Sequence, residues 1–342
     1  MTTVASAVRE QTHAPAASHS RDIRIALLGL GQVGSAIADL ARRSTDPSHQ
    51  FTIASALVRD GHRIRRIDTS AIPLTIDPAT ALSARADVVV EVLGGLEPAR
   101  TLVLAALERG TPVVTANKSL LAAHGDELFE AARPAGAPLL YEASVLAGVP
   151  FLGTFSRRPR AKEVTALAGI VNGTSNFILS RMAADRVPFD AALADAQQAG
   201  YAEPDSSKDI QGDDAVEKLC VLLRHFGGVS VAPRDIEKTG IQHLELADLD
   251  QAAAFGGTLR PVVVAEWDQR RLTAYAGPAF VPSTNPLARV DGVQNAVSLR
   301  TRWTGDLFFS GPGAGPTVTA ATVLDDIVEG RCGGHATAPV AE

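Results

Sequence analysis

The run Ile23-Arg-Ile-Ala-Leu-Leu-Gly29-Leu-Gly31-Gln-Val-Gly34-Ser-Ala-Ile-Ala constrains this chain more than any other stretch. An apolar strand leads into three glycines in G-x-G-x-x-G spacing, and a helical pattern follows. Each glycine has its own task. Gly29 makes the tight turn, Gly31 lets the backbone approach a pyrophosphate, and Gly34 lets helix and strand pack closely. The helix N-terminus turns free N–H groups and a positive dipole end toward the phosphates. A bare glycine pattern says little; the strand before it and the helix after it supply the context a dinucleotide site needs.

The following sequence extends that unit. Strands are predicted at 24–28, 52–58, 88–92, 112–115 and 138–141, with helices at 32–43, 98–109 and 120–132. Such alternation predicts a doubly wound parallel sheet. Ligands of these sheets bind beyond the carboxyl ends of the strands. Gly94, Gly95 and the pair Asn117-Lys118 directly follow strands and so fall on that rim. After residue 150 the pattern changes. Strands are predicted at 162–170, 258–266, 272–276, 296–299 and 306–309, and helices at 176–183 and 189–198. This reads as an α+β unit with an antiparallel sheet. A last helix near 317–328 follows Gly311-Pro-Gly-Ala-Gly and is expected to return to the nucleotide unit. The expected division is 22–150 for dinucleotide binding, completed by 314–329, and 151–312 for substrate binding, catalysis and dimerisation. Residues 1–21 and 330–342 read as a disordered leader and tail, with no apolar core of a secretion signal in the leader.

A second stretch carries candidate chemistry. Gly200-Tyr-Ala-Glu-Pro-Asp-Ser-Ser-Lys-Asp-Ile-Gln-Gly-Asp-Asp-Ala-Val-Glu-Lys218 places Glu203, Asp205, Asp209, Asp213, Asp214 and Glu217 around Lys208 and Lys218. Its second half begins a helix on which Asp214 and Lys218, four apart, share a face. A carboxylate cluster can hold a substrate ammonium, and a lysine within it can exchange a proton. A solvated acidic loop followed by an amphipathic helix fits the local sequence equally well.

Composition narrows the classes. A net charge of −6 over 342 residues argues against a general nucleic-acid binder. The two cysteines, Cys220 and Cys332, give no disulfide framework. No apolar run is long enough to span a membrane, so a cytoplasmic protein is expected.

With both stretches in view, the chain resembles the homoserine dehydrogenases, from about Ile23 to Val328. The motifs carrying the likeness are Gly29-Leu-Gly-Gln-Val-Gly34, Glu91-Val-Leu-Gly-Gly-Leu-Glu-Pro98, Thr115-Ala-Asn-Lys118, Tyr141-Glu-Ala-Ser-Val-Leu-Ala-Gly-Val-Pro150, Gly169-Ile-Val-Asn-Gly-Thr-Ser-Asn-Phe-Ile178 and the acidic segment. The resemblance implies an α/β fold: a Rossmann-type doubly wound sheet plus an α+β catalytic and dimerisation domain. It implies interconversion of L-homoserine and L-aspartate 4-semialdehyde with NAD(H) or NADP(H), by a homodimer acting on a small molecule. Lys118 and Lys218 take the positions of the family's proton-transfer and substrate-binding lysines, held by Asp214. Glu203 and Asp209, with the turn at Gly173 and Thr174, take those of substrate binding. Gly29, Gly31, Gln32, Val33, Gly34, Gly94, Gly95, Thr115 and Asn117 surround the cofactor. Glu142 and the carbonyls of Val145, Ala147 and Val149 match a monovalent-cation (sodium) site.

Leu146, Ser175 and Phe177 depart from the usual residues and leave room for a paralogue acting on another amino-acid-derived alcohol or amine. A non-catalytic dinucleotide-sensing regulator is the alternative of a different class, but it would have no need of Lys118, Glu203, Asp209, Asp214 and Lys218 together. With only 329–342 beyond the resemblance, the threonine-binding ACT domain of many members, and strong threonine inhibition, are not expected. Cofactor choice turns on the end of the second strand, where NAD enzymes carry an acid. Arg59 precedes Asp60 there, and Arg63, Arg65 and Arg66 follow. An arginine can pair with a 2′-phosphate, so NADP is expected to be preferred, with NAD use retained through Asp60.

Overall fold

The computed structural model describes residues 21–331, apart from 47, 157 and 159. Most of the expected leader and tail, and Cys332, lie outside the described residues. One sheet contains β1 (Arg21–Leu28), β2 (His49–Leu57), β3 (Leu74–Thr75), β4 (Val88–Glu91), β5 (Val113–Thr115) and β6 (Leu139–Leu140). All pairings are parallel, in the order β3-β2-β1-β4-β5-β6. The central strand β1 is buried on both faces, and its side chains divide by parity. Ile23, Ile25 and Leu27 join Val88, Val90, Val114 and Leu140 on one side. Ala26 and Leu28 join Val89 and Val113 on the other. Alternation along a strand produces this division, and double-sided burial explains the near-continuous apolar run.

Helices cover both faces. Through Ile37 and Ala38, α1 (Gln32–Arg43) packs on the β1 face that holds Ile25. On the other face, α2 (Pro78–Ser83) contributes Ala81, and α3 (Ala99–Glu108) and α4 (Lys118–Ala135) contribute Leu102, Val103, Leu121 and Leu128. A short α5 (Leu152–Ser156) then leads to the second sheet.

That sheet contains β7 (Val164–Ile170), β8 (Glu237–Lys238), β9 (Gly257–Trp267), β10 (Leu272–Pro282), β11 (Gln294–Thr301) and β12 (Gly305–Pro312), in the order β12-β11-β7-β9-β10-β8. Its pairings are antiparallel except for β8 with β10. Helices α6 (Gly173–Asp185), α7 (Phe189–Gln198), α8 (Ser207–Ile210), α9 (Asp213–Leu222) and α10 (Leu246–Ala254) accompany it. The last helix, α11 (Pro316–Arg331), packs on the first sheet: Ala320, Val323, Leu324 and Ile327 share a core with Ile25 and Ile37.

The sequence under-reads β10, which continues through Gly277 and Pro278 to Pro282. Pro278 pairs opposite Pro261 of β9. Beyond Ala276, β10 has no partner on its β8 side, and β9 pairs with β7 only from Val263 onward. Prolines are tolerated where a strand lacks a second neighbour. The short β3, β8, α2, α5 and α8, and the whole of α10, were not expected. They carry too few periodic residues, or too even an alanine content, to stand out. Among the described residues, no helix is long and apolar enough to cross a membrane.

Candidate active site

The glycine turn has a distinct geometry at each of its three glycines. Gly29 adopts φ +108°, and a Cβ there would lie 2.9 Å from the Val92 carbonyl oxygen. A Cβ on Gly34 would meet the Gly29 carbonyl oxygen at 2.1 Å, so only glycine permits this contact. Gly31 differs, since nothing lies within 4 Å of a Cβ built on it. Gly31 is also the N-cap of α1 and supplies no side-chain cap. Space and uncapped N–H groups therefore coincide where a pyrophosphate would sit, with Gln32 exposed and Val33 half-buried beside them. The residues present fit a dinucleotide.

The neighbouring rim is organised by Glu91, buried at the end of β4. Its Oε2 accepts the Thr115 hydroxyl at 2.6 Å, and its Oε1 accepts Leu93 N–H at 2.8 Å and Asn117 Nδ2 at 3.3 Å. Asn117 Nδ2 also donates to the Gly95 carbonyl at 2.7 Å, while its Oδ1 caps α4 through Leu120 N–H at 3.1 Å. Thr115 and Asn117 thus shape the rim from within, and Gly94 and Gly95 form its exposed lip. Burial pushes the Glu91 carboxyl above its usual range, against these hydrogen bonds. Local sequence assigns Glu91 no role, because its side-chain partners arrive from β5 and the residue before α4.

Lys118 opens α4 at that rim. Its Nζ lies 3.1 Å from Asp214 Oδ1, and Lys218 Nζ lies 3.0 Å from Asp214 Oδ2. One carboxylate bridges both lysines. Lys218 also donates to the Val171 carbonyl at 2.6 Å, after β7. Asn172 Nδ2 donates to Asp214 Oδ2 at 2.9 Å and to Asp209 Oδ1 at 2.7 Å. The Asn172 Oδ1 caps α6 through Ser175 N–H at 2.8 Å, and Ser175 Oγ donates to the Asp209 carbonyl at 2.9 Å. Asn172 and Ser175 therefore join β7, α6, α8 and α9 at one point. The Asn-Gly-Thr-Ser order is an N-cap signature that could have flagged Asn172.

Electrostatics follow from this geometry. Burial disfavours an ionised Asp214, but Lys218 and then Lys118 outweigh it and hold the carboxyl well below the usual range. Burial works against charge on Lys118; Asp214 overrides it and raises the lysine above its ordinary value. Two cations converging on one site would by themselves favour each other's neutral forms. The intervening carboxylate reverses that for Lys118. Asp209 is raised, chiefly by burial and then by Asp214, against Asn172.

Other expected site residues are less concentrated. Gly173 begins α6 beside the cluster, where a Cβ would lie 2.9 Å from the Val293 carbonyl oxygen. Thr174 is exposed, and its hydroxyl donates to the Tyr201 carbonyl at 2.6 Å. Glu203 is exposed on the loop before α8, and no hydrogen bond or ion pair joins its side chain to the lysine cluster. Arg59 is exposed just beyond β2. Glu142 is buried and accepts N–H groups of Phe151 and Leu152 at 2.9 Å and of Gly153 at 2.6 Å. Val145, Ala147 and Val149 are buried in the following turn, where the Ala147 carbonyl accepts the Thr322 hydroxyl from α11.

A doubly wound sheet with an open glycine turn, meeting a partly buried lysine–carboxylate–lysine cluster, defines a nicotinamide-dinucleotide-dependent oxidoreductase. Comparison with known proteins narrows the class. Residues 150–328 match the family model described as homoserine dehydrogenase, and residues 29–142 match the one described as homoserine dehydrogenase, NAD binding domain. A Lactococcus lactis homoserine dehydrogenase is 36% identical over 315 residues, covering 90% of this chain and 73% of the relative. One from Mycobacterium tuberculosis is 38% identical over 318 residues, covering 90% and 72%. A homoserine dehydrogenase crystal structure from Thiobacillus denitrificans superposes with a TM-score of 0.86 at 34% identity, covering 94% of this chain and 77% of that one. The chain belongs to the homoserine dehydrogenase family.

Proposed function

We propose that this chain interconverts L-homoserine and L-aspartate 4-semialdehyde, with Lys118, Lys218 and Asp214 as the proton-transfer group. The observation that supports this most directly is Asp214, shared at 3.1 Å and 3.0 Å by the two lysines where α4, at the dinucleotide rim, meets α9. When bound, the nicotinamide gives or takes the hydride. In the reductive direction, protonated Lys118 donates to the oxygen that becomes the alcohol; in the oxidative direction, neutral Lys118 accepts that proton. Lys218, fixed by Val171 and Asp214, holds the substrate oxygen, and Asp214 keeps both amines in register. Asp209 and Glu203 receive the substrate ammonium, with the Gly173–Thr174 turn beneath it. Residues 22–150 with 314–329 serve as the dinucleotide domain and 151–312 as the substrate domain. Turnover assays with homoserine and each nicotinamide cofactor test the reaction. Activity only on another amino-acid-derived alcohol would overturn the substrate assignment.

NADP is the proposed preferred cofactor, through Arg59 and its neighbours Arg63 and Arg66. Arg59→Ala should lower kcat/KM with NADP about fivefold, the scale of a lost charge-assisted phosphate contact, and leave NAD nearly unchanged. Equal loss with both cofactors would remove the phosphate-clamp reading. A monovalent cation is proposed at Glu142 and the carbonyls of Val145, Ala147 and Val149. This all-oxygen set suits a hard cation. A carboxylate offers about four acceptor positions, and three amide donors take only part of them. Such an ion would tie the turn to α11. A sodium-dependent rise in thermal midpoint that Glu142→Gln abolishes is expected; identical midpoints in sodium and in a bulky organic cation would count against it.

We further propose a cytoplasmic homodimer formed through the outer face of the second sheet. Ala166, Ala168, Val264 and Phe308 line an open depression of about 1090 Å³ there, a face suited to a second copy. Sedimentation should give twice the chain mass, and Phe308→Glu should give the monomer.

A further inference from the structure

We propose that Ser119 and Glu217 form a positioning pair that fixes the reach of Lys118 and so sets the rate of proton transfer. The inference rests on reading Lys118 as the proton-transfer lysine. Lys118 is the first residue of α4, with a long and freely rotating stem. Its target, Asp214, sits on α9 from a distant part of the chain. Reaction therefore requires that α4 and α9 be held in register.

Besides the Lys118–Asp214 ion pair, polar contacts join the two helices at both ends. At the far end, Arg224 is buried just beyond α9 and reaches across to α4. Its Nε donates to Asp126 Oδ1 at 3.1 Å, one terminal nitrogen to the Leu121 carbonyl at 3.0 Å, and the other to Ser230 Oγ at 2.5 Å. Gly125 leaves the room for this crossing, since a Cβ there would lie 2.7 Å from the guanidinium carbon. At the site end, Ser119 Oγ donates to Glu217 Oε2 at 2.7 Å. Ser119 directly follows Lys118, and Glu217 directly precedes Lys218. One hydrogen bond thus ties together the neighbours of both lysines.

Its value lies in being independent of the reacting proton. The Lys118–Asp214 ion pair weakens when Lys118 gives up its proton, at the moment when position matters most. The Ser119–Glu217 bond does not change then, so the first turn of α4 stays in place. Glu217 also faces Lys118 as a charge, together with Asp214 and Asp209, while Lys218 lies on the other side of Asp214.

The test compares wild type, Lys118→Met, Ser119→Ala, Glu217→Gln and Glu217→Ala in homoserine oxidation across pH. Ser119→Ala and Glu217→Ala should lower kcat about tenfold, as misplacement of a reacting group does, with both KM values within about twofold of wild type. The Glu217→Gln amide oxygen can still accept from Ser119, so that variant should recover most of kcat. Both Glu217 variants should move the alkaline rise in rate to lower pH, because a negative charge facing Lys118 is gone. Ser119→Ala should leave that rise where it is. Wild-type kcat and an unmoved profile in Glu217→Ala, with Lys118→Met inactive, would overturn the pair while leaving the reaction intact. A kcat loss in Glu217→Ala that follows its thermal midpoint, with no rescue by Glu217→Gln, would reduce the pair to a packing contact. A fully active Lys118→Met would overturn the functional reading itself, and this inference with it.

Discussion

The dinucleotide rim and the lysine cluster meet at Asn117 and Lys118, yet they are made of different material. The rim is mostly backbone: a glycine turn, an uncapped helix N-terminus and the lip at Gly94 and Gly95, propped from below by Glu91. The cluster is almost entirely side chains, with Lys118 from α4, Asp214 and Lys218 from α9, and Asn172 from the end of β7. A backbone site cannot tolerate an added Cβ where chains touch, but is nearly indifferent to side-chain chemistry. A side-chain site tolerates changes in its supporting loops but not the loss of one charged atom.

Substitutions in the cluster should have the largest effects on rate. Lys118→Met or Lys218→Met should lower kcat about 10²-fold or more, the usual scale for an acid–base group. The cofactor KM and the circular dichroism spectrum should hold. Near-normal turnover in both variants would break the comparison at its strongest point.

Glycine substitutions at the rim should divide by contact rather than by motif. Gly34→Ala sets a Cβ 2.1 Å from backbone and should cost about 3 kcal/mol in stability, as overpacking against immobile atoms does. Gly31→Ala meets nothing within 4 Å and should fold normally. It intrudes where the pyrophosphate approaches, so the cofactor KM should rise about tenfold, near 1.4 kcal/mol. Denaturant melts and cofactor titrations of the two proteins check this; equal loss of stability would refute the division.

The acidic residues sharpen the comparison within the substrate side. Asp209 is hydrogen-bonded into the cluster, whereas Glu203 is exposed outside it. Asp209→Asn should raise the homoserine KM about tenfold and Glu203→Gln about threefold, the smaller value reflecting solvent screening. Neither should alter the cofactor KM. A larger effect from Glu203 would mean that its loop closes onto substrate.

The smallest effect concerns pH. Lys118 is held above its ordinary value of 10.5 by Asp214. A group raised in the folded state contributes stability that is complete below its unfolded pKa and is lost as pH rises through the folded pKa. Wild type should therefore lose more thermal midpoint than Lys118→Met above about pH 10.4, and the two should change in parallel at neutral pH. Parallel curves throughout would show that the ion pair adds nothing to the fold.

How much could be read beforehand follows the same division. Local pattern was enough for the rim: an apolar strand, three glycines at fixed spacing and a periodic helix specify φ, close approach and an open helix end within a few residues. The same holds for α1 and α7, whose bounds match expectation because apolar periodicity and flanking breakers coincide there. The parallel, doubly wound form of the first sheet was also within reach. Parallel strands buried on both faces leave few ways to pair. Lys118, Asp214 and Lys218 were found as residue types in suggestive places and by likeness to a family. What the sequence could not express is that one Asp214 carboxylate lies between the two lysines, that Asn172 ties that carboxylate to Asp209, or that Glu91 organises the polar contacts of the neighbouring rim. Those facts depend on side chains from segments far apart in the chain reaching within about 3 Å of one another. Local propensity carries no information about such distances, so only tertiary packing decided them.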